Sequence, residues 1–251
     1  MQLRDGICWG LVPARSGSKS VALKNLALLG GRPLLDYGVL AARQAGLERI
    51  VCSTDGPEIA ARSRELGIVV DDRPTELAGD EAPVFDVIAR WLTEVFRREG
   101  AVPEMVALIQ PTSPFITPAQ IQSCVALLQG DPEAASAQTV IPCPHNHHAY
   151  NQRLVADGRV TWRFPDERRA AYNKQRKPEH FLFGNLVVFR SQMALDQGSV
   201  FAERSLASPV PEIYGFDCDG PDDFRRGTLM LESGLVELPH LDAQFDAQMD
   251  D

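Results

Sequence analysis

The sequence predicts an α/β fold: a Rossmann-like, three-layer domain built on a mostly parallel sheet. Apolar runs of strand length alternate with segments of helix length over the first half of the chain, and this alternation is typical of parallel sheets with right-handed crossover helices. The 251 residues are 44% hydrophobic, which provides enough apolar surface for one large core. Ligands bind such sheets at the carboxyl ends of the strands, so the loops that follow the strands are the candidate sites.

The first apolar run, at residues 7–12, contains a tryptophan and β-branched residues and is followed by a proline. It predicts a buried strand that leads into a loop. The other elements of the regular part are strands at 49–53, 68–70 and 105–109 and helices at 33–45, 57–66, 83–98 and 118–128. After about residue 140 the alternation breaks. Strands at 183–189 and 212–216 and a helix at 221–233 are predicted to close a single domain, residues 1–251.

Residues 141–182 interrupt this domain and are predicted to form an inserted hairpin subdomain. The turn-forming pair Asp157-Gly158 separates two short apolar segments, 154–155 and 160–162, as in a two-residue β-hairpin. The last residues, 242–251, are acidic and have little apolar content. They are predicted to be a frayed tail.

The composition argues against several classes of protein. A net charge of −9 and a pI near 5.1 are unlike a nucleic-acid-binding protein, which usually presents a basic face. No apolar run approaches the roughly 20 residues that span a bilayer, and the N-terminus lacks a signal-peptide pattern. Five cysteines without a CxxC pair indicate reduced thiols. These features predict a cytoplasmic protein with neither nucleic-acid nor membrane partners.

The first candidate site is the loop PARSGSKSVALKN, residues 13–25, after the first strand. Its small residues let backbone N–H groups approach phosphate oxygens, and Arg15, Lys19 and Lys24 supply positive charge. It is not a Walker A motif, because that motif needs glycine immediately before the lysine and another five residues earlier. This chain has serine and proline there. A solvated basic loop is the alternative, but the position after a strand favours a phosphate site.

The second candidate site is the acidic pair Asp217 and Asp219, after the last predicted strand. Residues two apart on a strand face the same way, so Cys218 would point elsewhere. Two carboxylates on one side suit Mg²⁺, which also accepts phosphate oxygens and waters. The alternative is that they are solvated or cap the next helix. Asp222 or Asp223 fits that capping position better.

The third candidate site is the segment QPTSP, residues 110–114, after the strand at 105–109. Its two prolines fix the backbone, so that Gln110 and the hydroxyl groups are presented at the edge of the sheet. A rigid turn followed by an N-cap at Thr117 is the alternative. The two interpretations are compatible.

In their order along the chain, these segments resemble the acylneuraminate cytidylyltransferases, the CMP-sialic acid synthetase family. The motifs are Pro-Ala-Arg-x-Gly-Ser-Lys with Lys-Asn downstream, Ser-Thr-Asp at 53–55, Arg-Pro-x-Glu-Leu-Ala at 73–78, Gln-Pro-Thr-Ser-Pro at 110–114 and Asp-x-Asp at 217–219. The resemblance covers most of residues 7–233. It implies a nucleotide-diphospho-sugar transferase fold and transfer of CMP from CTP to the anomeric hydroxyl of a sialic acid-like (nonulosonic) sugar acid, with release of pyrophosphate. It also implies Mg²⁺ as cofactor and a homodimer formed through the hairpin, which would be only marginally stable alone.

The resemblance also implies roles for individual residues. The nucleotide-binding set is Ala14, Arg15, Ser18, Lys19, Lys24, Asn25, Arg73 and Ala82. The catalytic set is Arg15, Lys24, Gln110, Asp217 and Asp219, of which the two aspartates hold the metal. The acceptor-binding set is Gln110, His147, His148, Lys174 and Gln175. For the histidines and the basic stretch at 168–177, a solvated surface loop is the alternative. A zinc site at 143–148 is a further alternative, although its spacing matches no closed zinc pattern.

The sequence departs from the family pattern at several places. Ser20-Val-Ala-Leu stands where the family usually has Gly-Ile-Pro or Gly-Leu-Pro, Val84 replaces a serine or threonine, and Asn-Gly is reversed to Gly184-Asn185. The departures at 174–185 fall where the family recognises its acceptor. The sequence therefore leaves two alternatives open: a CTP-dependent transferase for another small acidic acceptor, such as a phosphonate or another sugar acid, and an inactive nucleotide-binding homologue.

Overall fold

A computed structural model describes residues 1–241, apart from the side chain of Lys174. The strands are β1 Leu3–Pro13, β2 Leu28–Leu29, β3 Arg32–Pro33, β4 Arg49–Thr54, β5 Val69–Asp72, β6 Val102–Leu108, β7 Ser136–Pro142, β8 Arg153–Ala156, β9 Arg159–Trp162, β10 Phe181–Arg190 and β11 Ser205–Pro209. The α-helices are α1 Leu34–Gln44, α2 Pro57–Glu65, α3 Val84–Glu99, α4 Pro118–Gly130, α5 Pro165–Ala170, α6 Ser191–Gln197 and α7 Pro221–Glu232. The proposed tail, 242–251, lies outside the described residues.

Seven strands form the central sheet in the order β11-β7-β10-β6-β1-β4-β5. Only β10 runs antiparallel to its neighbours, β6 and β7. The other pairs in this sheet are parallel. The predicted mostly parallel α/β fold is therefore confirmed, and the carboxyl ends of β1, β4 and β6 lie side by side at one edge of the sheet.

Two apolar clusters cover the two faces of the sheet and create the three layers. One contains Leu35 of α1, Ile59 of α2 and Ile121 of α4. The other contains Trp91 of α3 and Ala194 of α6. Strand β1 supplies both clusters by alternation, because successive side chains of a strand point to opposite faces. Cys8 and Val12 face the first cluster, whereas Trp9 and Leu11 face the second.

A third apolar cluster supports the closing segment of the domain. Phe216 stacks on Phe115 with ring centroids 5.0 Å apart, and Cys218, Val236 and Leu238 are buried in the same cluster. The strand predicted at 212–216 is wrong, because Glu212–Gly215 is a 3-10 turn. Its aromatic and β-branched residues reflect packing into this cluster and not a strand ladder. The last strand of the sheet is β11, which the sequence analysis missed together with β7.

The predicted hairpin is present as β8 and β9. Asp157 and Gly158 have φ values of 50° and 69°, as a two-residue turn between antiparallel strands requires. Its apolar side chains Leu154, Val155 and Val160 are exposed. The division of the chain into one domain with a dimerising subdomain remains a prediction. Among residues 1–241, no helix is long and apolar enough to cross a membrane.

Candidate active site

A cleft of about 310 Å³ opens at the carboxyl ends of β1, β5 and β6. It contains most of the residues predicted to bind nucleotide, together with an apolar wall from the segment before α3 and from α3 itself. Its lining comprises Pro13, Arg15, Gly17, Ser18, Lys24, Asn25, Arg73, Leu77, Gly79, Asp80, Ala82, Val84, Val87, Gln110, Pro111 and Thr112. The volume lies at the lower end of the range usual for small-molecule sites.

The basic loop after β1 and the acidic pair near the end of the domain meet beside this cleft. Lys24 Nζ donates to Asp219 Oδ1 at 3.0 Å across 195 residues of sequence. The hydroxyl of Ser20 donates to the backbone carbonyl of Asp219 at 2.5 Å. Only 15% of the Lys24 side chain is exposed, against 72% of the Asp219 side chain. The fold therefore brings together the two distant segments on which a nucleotidyl-transfer site would depend.

The acidic segment shows the predicted alternation although it is not part of a strand. Asp217 and Asp219 are exposed, and Cys218 between them is fully buried. Burial raises the pKa of the Cys218 thiol to about 12, so this group stays neutral. A backbone bond from the Cys218 amide to the Thr112 carbonyl, at 2.7 Å, fixes the segment to the QPTSP loop.

Asp223 caps the start of α7. It is one of the two residues, Asp222 and Asp223, predicted to cap this helix. Its Oδ2 accepts from the backbone amides of Asp219 at 3.1 Å and Gly220 at 2.9 Å. This capping leaves the carboxylates of Asp217 and Asp219 available for another role.

The two carboxylates differ in their proton affinity. Partial desolvation and the neighbouring charge of Asp219 raise the pKa of Asp217 above its ordinary value. The ammonium group of Lys24 lowers the pKa of Asp219. In the part of the chain that the structure describes, no group of three or more His, Cys, Asp or Glu residues could hold a metal ion. A metal on this pair would need its other ligands from phosphate oxygens and water, which is how Mg²⁺ is usually bound with nucleotides.

Asp80 lies within the cleft and pairs with two of the predicted phosphate-binding cations. Its Oδ1 accepts from Arg15 Nη1 at 2.5 Å, and its Oδ2 lies 2.7 Å from Lys19 Nζ. These bonds from Lys19 and Arg15 lower the pKa of Asp80. The sequence analysis missed Asp80, because no local pattern shows that a carboxylate 65 residues after Arg15 returns to it.

Two predicted nucleotide-binding residues also stabilise the loops that line the cleft. The side chain of Asn25 is buried and donates from Nδ2 to the Arg15 carbonyl at 2.8 Å. Arg73 is buried as well, and its Nη2 donates to the Ser53 carbonyl at 2.6 Å. Burial lowers the pKa of Arg73, although an arginine side chain stays protonated in proteins. Both residues line the cleft while they fix its walls.

Three other residues predicted to bind nucleotide differ from one another in their exposure and in the bonds they form. Ala14 is fully buried beneath the cleft, with its amide donating to the Ser53 carbonyl at 3.0 Å. The Ala82 amide donates to the Gly79 carbonyl at 3.3 Å, so that N–H group is already engaged. The Lys19 side chain is 84% exposed and reaches the cleft through its pair with Asp80.

The predicted acceptor residues are divided between two places. Gln110 lines the cleft at the end of β6, whereas His147, His148 and Gln175 do not line it. His147 and Gln175 are exposed on 3-10 turns. Lys174 begins the second of these turns, and its side chain lies outside the described residues.

His148 is buried and its ring nitrogens both have partners. Nδ1 accepts from the Tyr150 amide at 3.1 Å, so Nε2 carries the proton and donates to the Pro178 carbonyl at 3.0 Å. The ring stacks on His180 with centroids 4.1 Å apart. His148 also lines a second cleft, of about 410 Å³, between the end of β7 and the segment before β10. These contacts fix the ring within the inserted subdomain, and its role in acceptor binding stays a prediction.

Comparison with known proteins assigns the chain to a family. Residues 9–194 match the family described as cytidylyltransferase. An N-acylneuraminate cytidylyltransferase of Escherichia coli O18:K1:H7 is 30% identical over 85% of this chain and 49% of its own length. A CMP-N,N'-diacetyllegionaminic acid synthase of Legionella pneumophila subsp. pneumophila is 37% identical over 47% of this chain and 51% of its own length. The chain thus spans about half the length of the curated relatives it matches.

Two solved structures have the same fold. A CMP:2-keto-3-deoxy-manno-octonic acid synthetase complexed with CTP aligns with a TM-score of 0.65 at 15% identity, covering 91% of this chain and 99% of that one. A 4-diphosphocytidyl-2C-methyl-D-erythritol synthase of Anaerococcus prevotii aligns with a TM-score of 0.59 at 11% identity, covering 91% of this chain and 100% of that one. The fold agrees with the sequence-based expectation, and the match over most of the chain shows that it belongs to the cytidylyltransferase family.

Proposed function

We propose that this chain is a Mg²⁺-dependent cytidylyltransferase that transfers CMP from CTP to the anomeric hydroxyl of a nonulosonic sugar acid. The observation that supports this most strongly is the contact between Lys24 and Asp219 beside the cleft. It joins a cationic loop to an acidic pair, the combination that transfer of a nucleotide from a triphosphate requires. The related proteins are named for N-acylneuraminate and N,N'-diacetyllegionaminic acid.

In this proposal the basic loop binds the triphosphate. Arg15, Lys19 and Lys24 neutralise phosphate charge, and the small residues of the loop allow backbone amides to approach the phosphate oxygens. The cytidine contacts Asn25, Arg73 and the backbone near Ala82. Since Arg73 and Asn25 are already held by backbone carbonyls, this part of the site is preorganised.

The acidic pair is proposed to hold the metal. Asp217 and Asp219 present two exposed carboxylates on one side of a segment, and hard oxygen ligands of this kind suit Mg²⁺. When bound, Mg²⁺ would neutralise charge on the attacked phosphate and on the departing pyrophosphate. One carboxylate of the pair accepts the proton of the attacking hydroxyl. Lys24 lines the cleft and also contacts Asp219. In this position its ammonium group offsets the negative charge of the carboxylates and of the triphosphate.

The acceptor site is proposed to be completed by the inserted hairpin in a homodimer. Gln110 is the acceptor residue in the nucleotide cleft, whereas His147, Lys174 and Gln175 belong to the inserted segment. The hairpin exposes apolar side chains, with Val155 74% exposed, and clustered exposed apolar residues are typical of protein interfaces. Packing against a second subunit would bury them and bring the inserted segment of one chain near the cleft of the other.

With five free cysteines and its use of CTP, the protein is proposed to work in the cytoplasm.

One observation favours an acceptor other than sialic acid itself. The reversed pair Gly184-Asn185 places Asn185 in the interior, where its Nδ2 donates to Gln120 Oε1 and to the Tyr214 carbonyl, both at 3.0 Å. Its Oδ1 accepts from the Thr139 hydroxyl at 2.9 Å. The side-chain amide of Asn185 is therefore buried with both N–H groups in use, and it is not available to an acceptor. Another nonulosonic acid, or a different small acidic acceptor such as a phosphonate, is the second candidate.

Pyrophosphate release from the purified protein tests this proposal. The protein would be incubated with Mg²⁺, each of the four nucleoside triphosphates, and a panel of sialic, legionaminic and octulosonic acids and phosphonates. We expect release with CTP and at least one nonulosonic acid, and none when the metal is removed. Binding of CTP without pyrophosphate release for any acceptor would instead support an inactive nucleotide-binding homologue.

A further inference from the structure

Asp80 occupies a position in the cleft that conflicts with a phosphate site. Its carboxylate bridges Arg15 and Lys19, at 2.5 Å and 2.7 Å. Under the proposed function, these same donors must bind the oxygens of a triphosphate. A carboxylate and a phosphate are both anionic acceptors that use the same N–H groups. The Asp80 carboxylate occupies Arg15 Nη1 and one contact of Lys19 Nζ and offsets their positive charge, so a nucleotide bound at these cations competes with Asp80.

The segment that carries Asp80 is a mostly exposed connection outside the sheet. Residues 78–83 connect the 3-10 turn Thr75–Leu77 to α3. Within this connection, the turn around Asp80 is closed by the 3.3 Å bond between the Ala82 amide and the Gly79 carbonyl. The buried Arg73 precedes this connection, and Val87 of α3, which packs in the core, follows it. Because residues 78–83 belong to no strand, Asp80 can leave Arg15 and Lys19 without breaking a hydrogen bond of the sheet.

The ion pairs of Asp80 are weak enough to be exchanged. The side chains of Arg15 and Asp80 are 36% and 38% exposed, and that of Lys19 is 84% exposed. Exposed pairs of this kind contribute little to stability. In the absence of a ligand, however, the carboxylate reduces the repulsion between two neighbouring cations and holds Lys19 next to Arg15 at the cleft.

We propose that Asp80 is a positioning residue that acts as an exchangeable latch on the phosphate site. It holds Arg15 and Lys19 in place while the cleft is empty, and a triphosphate displaces it. After the reaction it returns to the same cations and so favours the release of pyrophosphate. This inference rests on the proposed function, because it requires a triphosphate ligand.

Calorimetric titration of wild-type protein, Asp80→Asn and Glu81→Gln with CTP tests the latch. Glu81 is the matched control, since it is exposed, carries the same charge one residue later and forms no ion pair among the described residues. Asn keeps the size of Asp80 but removes the competing charge. We expect Asp80→Asn to bind CTP about threefold to tenfold more tightly than wild type, which is the range given by losing one or two exposed ion pairs. Glu81→Gln should match wild type.

Two further ligands separate the latch from other effects. Cytidine has no phosphate, so its affinity should be the same for all three proteins. Inhibition of the reaction by pyrophosphate should become stronger in Asp80→Asn by a factor similar to that for CTP. Melting temperatures of the three proteins report whether each variant is folded.

Several results would overturn the latch. Weaker binding of CTP by Asp80→Asn would make Asp80 a direct partner of the metal-bound nucleotide. An equal gain in Glu81→Gln would reduce the effect to general charge, and an equal gain for cytidine would indicate a rearranged loop. Binding of CTP by wild type with no gain in Asp80→Asn would overturn the latch alone. No binding of CTP by any of the three proteins would overturn the proposed function as well.

Discussion

The nucleotide cleft and the inserted hairpin subdomain differ in how complete they are within one chain. In the cleft, residues from distant parts of the sequence already contact each other, as Lys24 and Asp219 do at 3.0 Å. In the inserted subdomain, by contrast, His147, His148 and Gln175 do not line the cleft, and apolar side chains of the hairpin face solvent. A single chain therefore brings together the residues predicted to bind the nucleotide. The acceptor half would then depend on a second subunit.

The largest effect is expected from Asp219→Asn, which removes a charge from the nucleotide half. Product formation should fall by about 1,000-fold or more, because the metal would lose one of its two carboxylate ligands. Asp222→Asn is the control, since Asp222 is exposed near the start of α7 and pairs only with Arg225 among the described residues. Pyrophosphate release measures activity, and circular dichroism reports the fold. Near-normal turnover by Asp219→Asn would remove the metal assignment.

A smaller loss is expected when one cation of the loop is removed. Lys24→Met should lower kcat/KM by about 100-fold, as for loss of one preorganised charge at a transition state. Lys19→Met removes the same charge from a side chain that is 84% exposed, and its effect should stay within about tenfold. Steady-state kinetics with CTP as the varied substrate compares the two. Equal losses would indicate a diffuse electrostatic effect and no defined role for Lys24.

Substitutions in the hairpin test whether the acceptor half of the site depends on a second subunit. Val155→Asp combined with Val160→Asp should separate the proposed dimer, because each apolar anchor at the centre of an interface contributes about 2 kcal/mol or more. Light scattering would measure the mass, and calorimetry would measure CTP binding. We expect a monomer that binds CTP normally but releases little pyrophosphate.

Leu229→Asp is the control for this pair of substitutions, because Leu229 is 64% exposed and belongs to α7, outside the hairpin. It should leave both mass and activity unchanged. A monomeric hairpin variant with full activity would show that one chain completes the acceptor site by itself.

The smallest expected effect distinguishes two neighbouring histidines. His148→Ala should lower the free energy of unfolding by about 1–3 kcal/mol, because it leaves buried hydrogen-bonding groups without partners. His147→Ala should leave stability unchanged, since His147 is exposed, and should raise the KM for the acceptor. Chemical denaturation and acceptor kinetics measure the two effects. A raised acceptor KM in His148→Ala at unchanged stability would instead support the predicted role of His148 in acceptor binding.

The sequence predicted the regular half of the fold because local patterns determine it. Strand β1 alternates between two cores and is followed at once by the basic loop, and Thr117 begins α4 with the predicted cap. The alternation at 217–219 was also predicted, although burial of Cys218 in an apolar cluster produces it and not a strand. In this part of the chain, local chemistry and tertiary structure agree.

The remaining features depend on contacts that no local pattern encodes. The run at 212–216 has the composition of a strand, yet Phe216 stacks on Phe115 instead of entering the sheet. Strand β7 escaped detection because its polar residues are buried against neighbouring strands, as Thr139 is against Asn185. Asp80 became visible only when the fold placed it beside Arg15.

A crystal structure of the protein with CTP and Mg²⁺ would test the joint site of the basic loop and the acidic pair most directly. We expect the triphosphate to lie between residues 15–24 and the carboxylates of Asp217 and Asp219, with Asp80 displaced from Arg15. A triphosphate bound away from these carboxylates, or a metal held by other residues, would contradict the proposed enzyme.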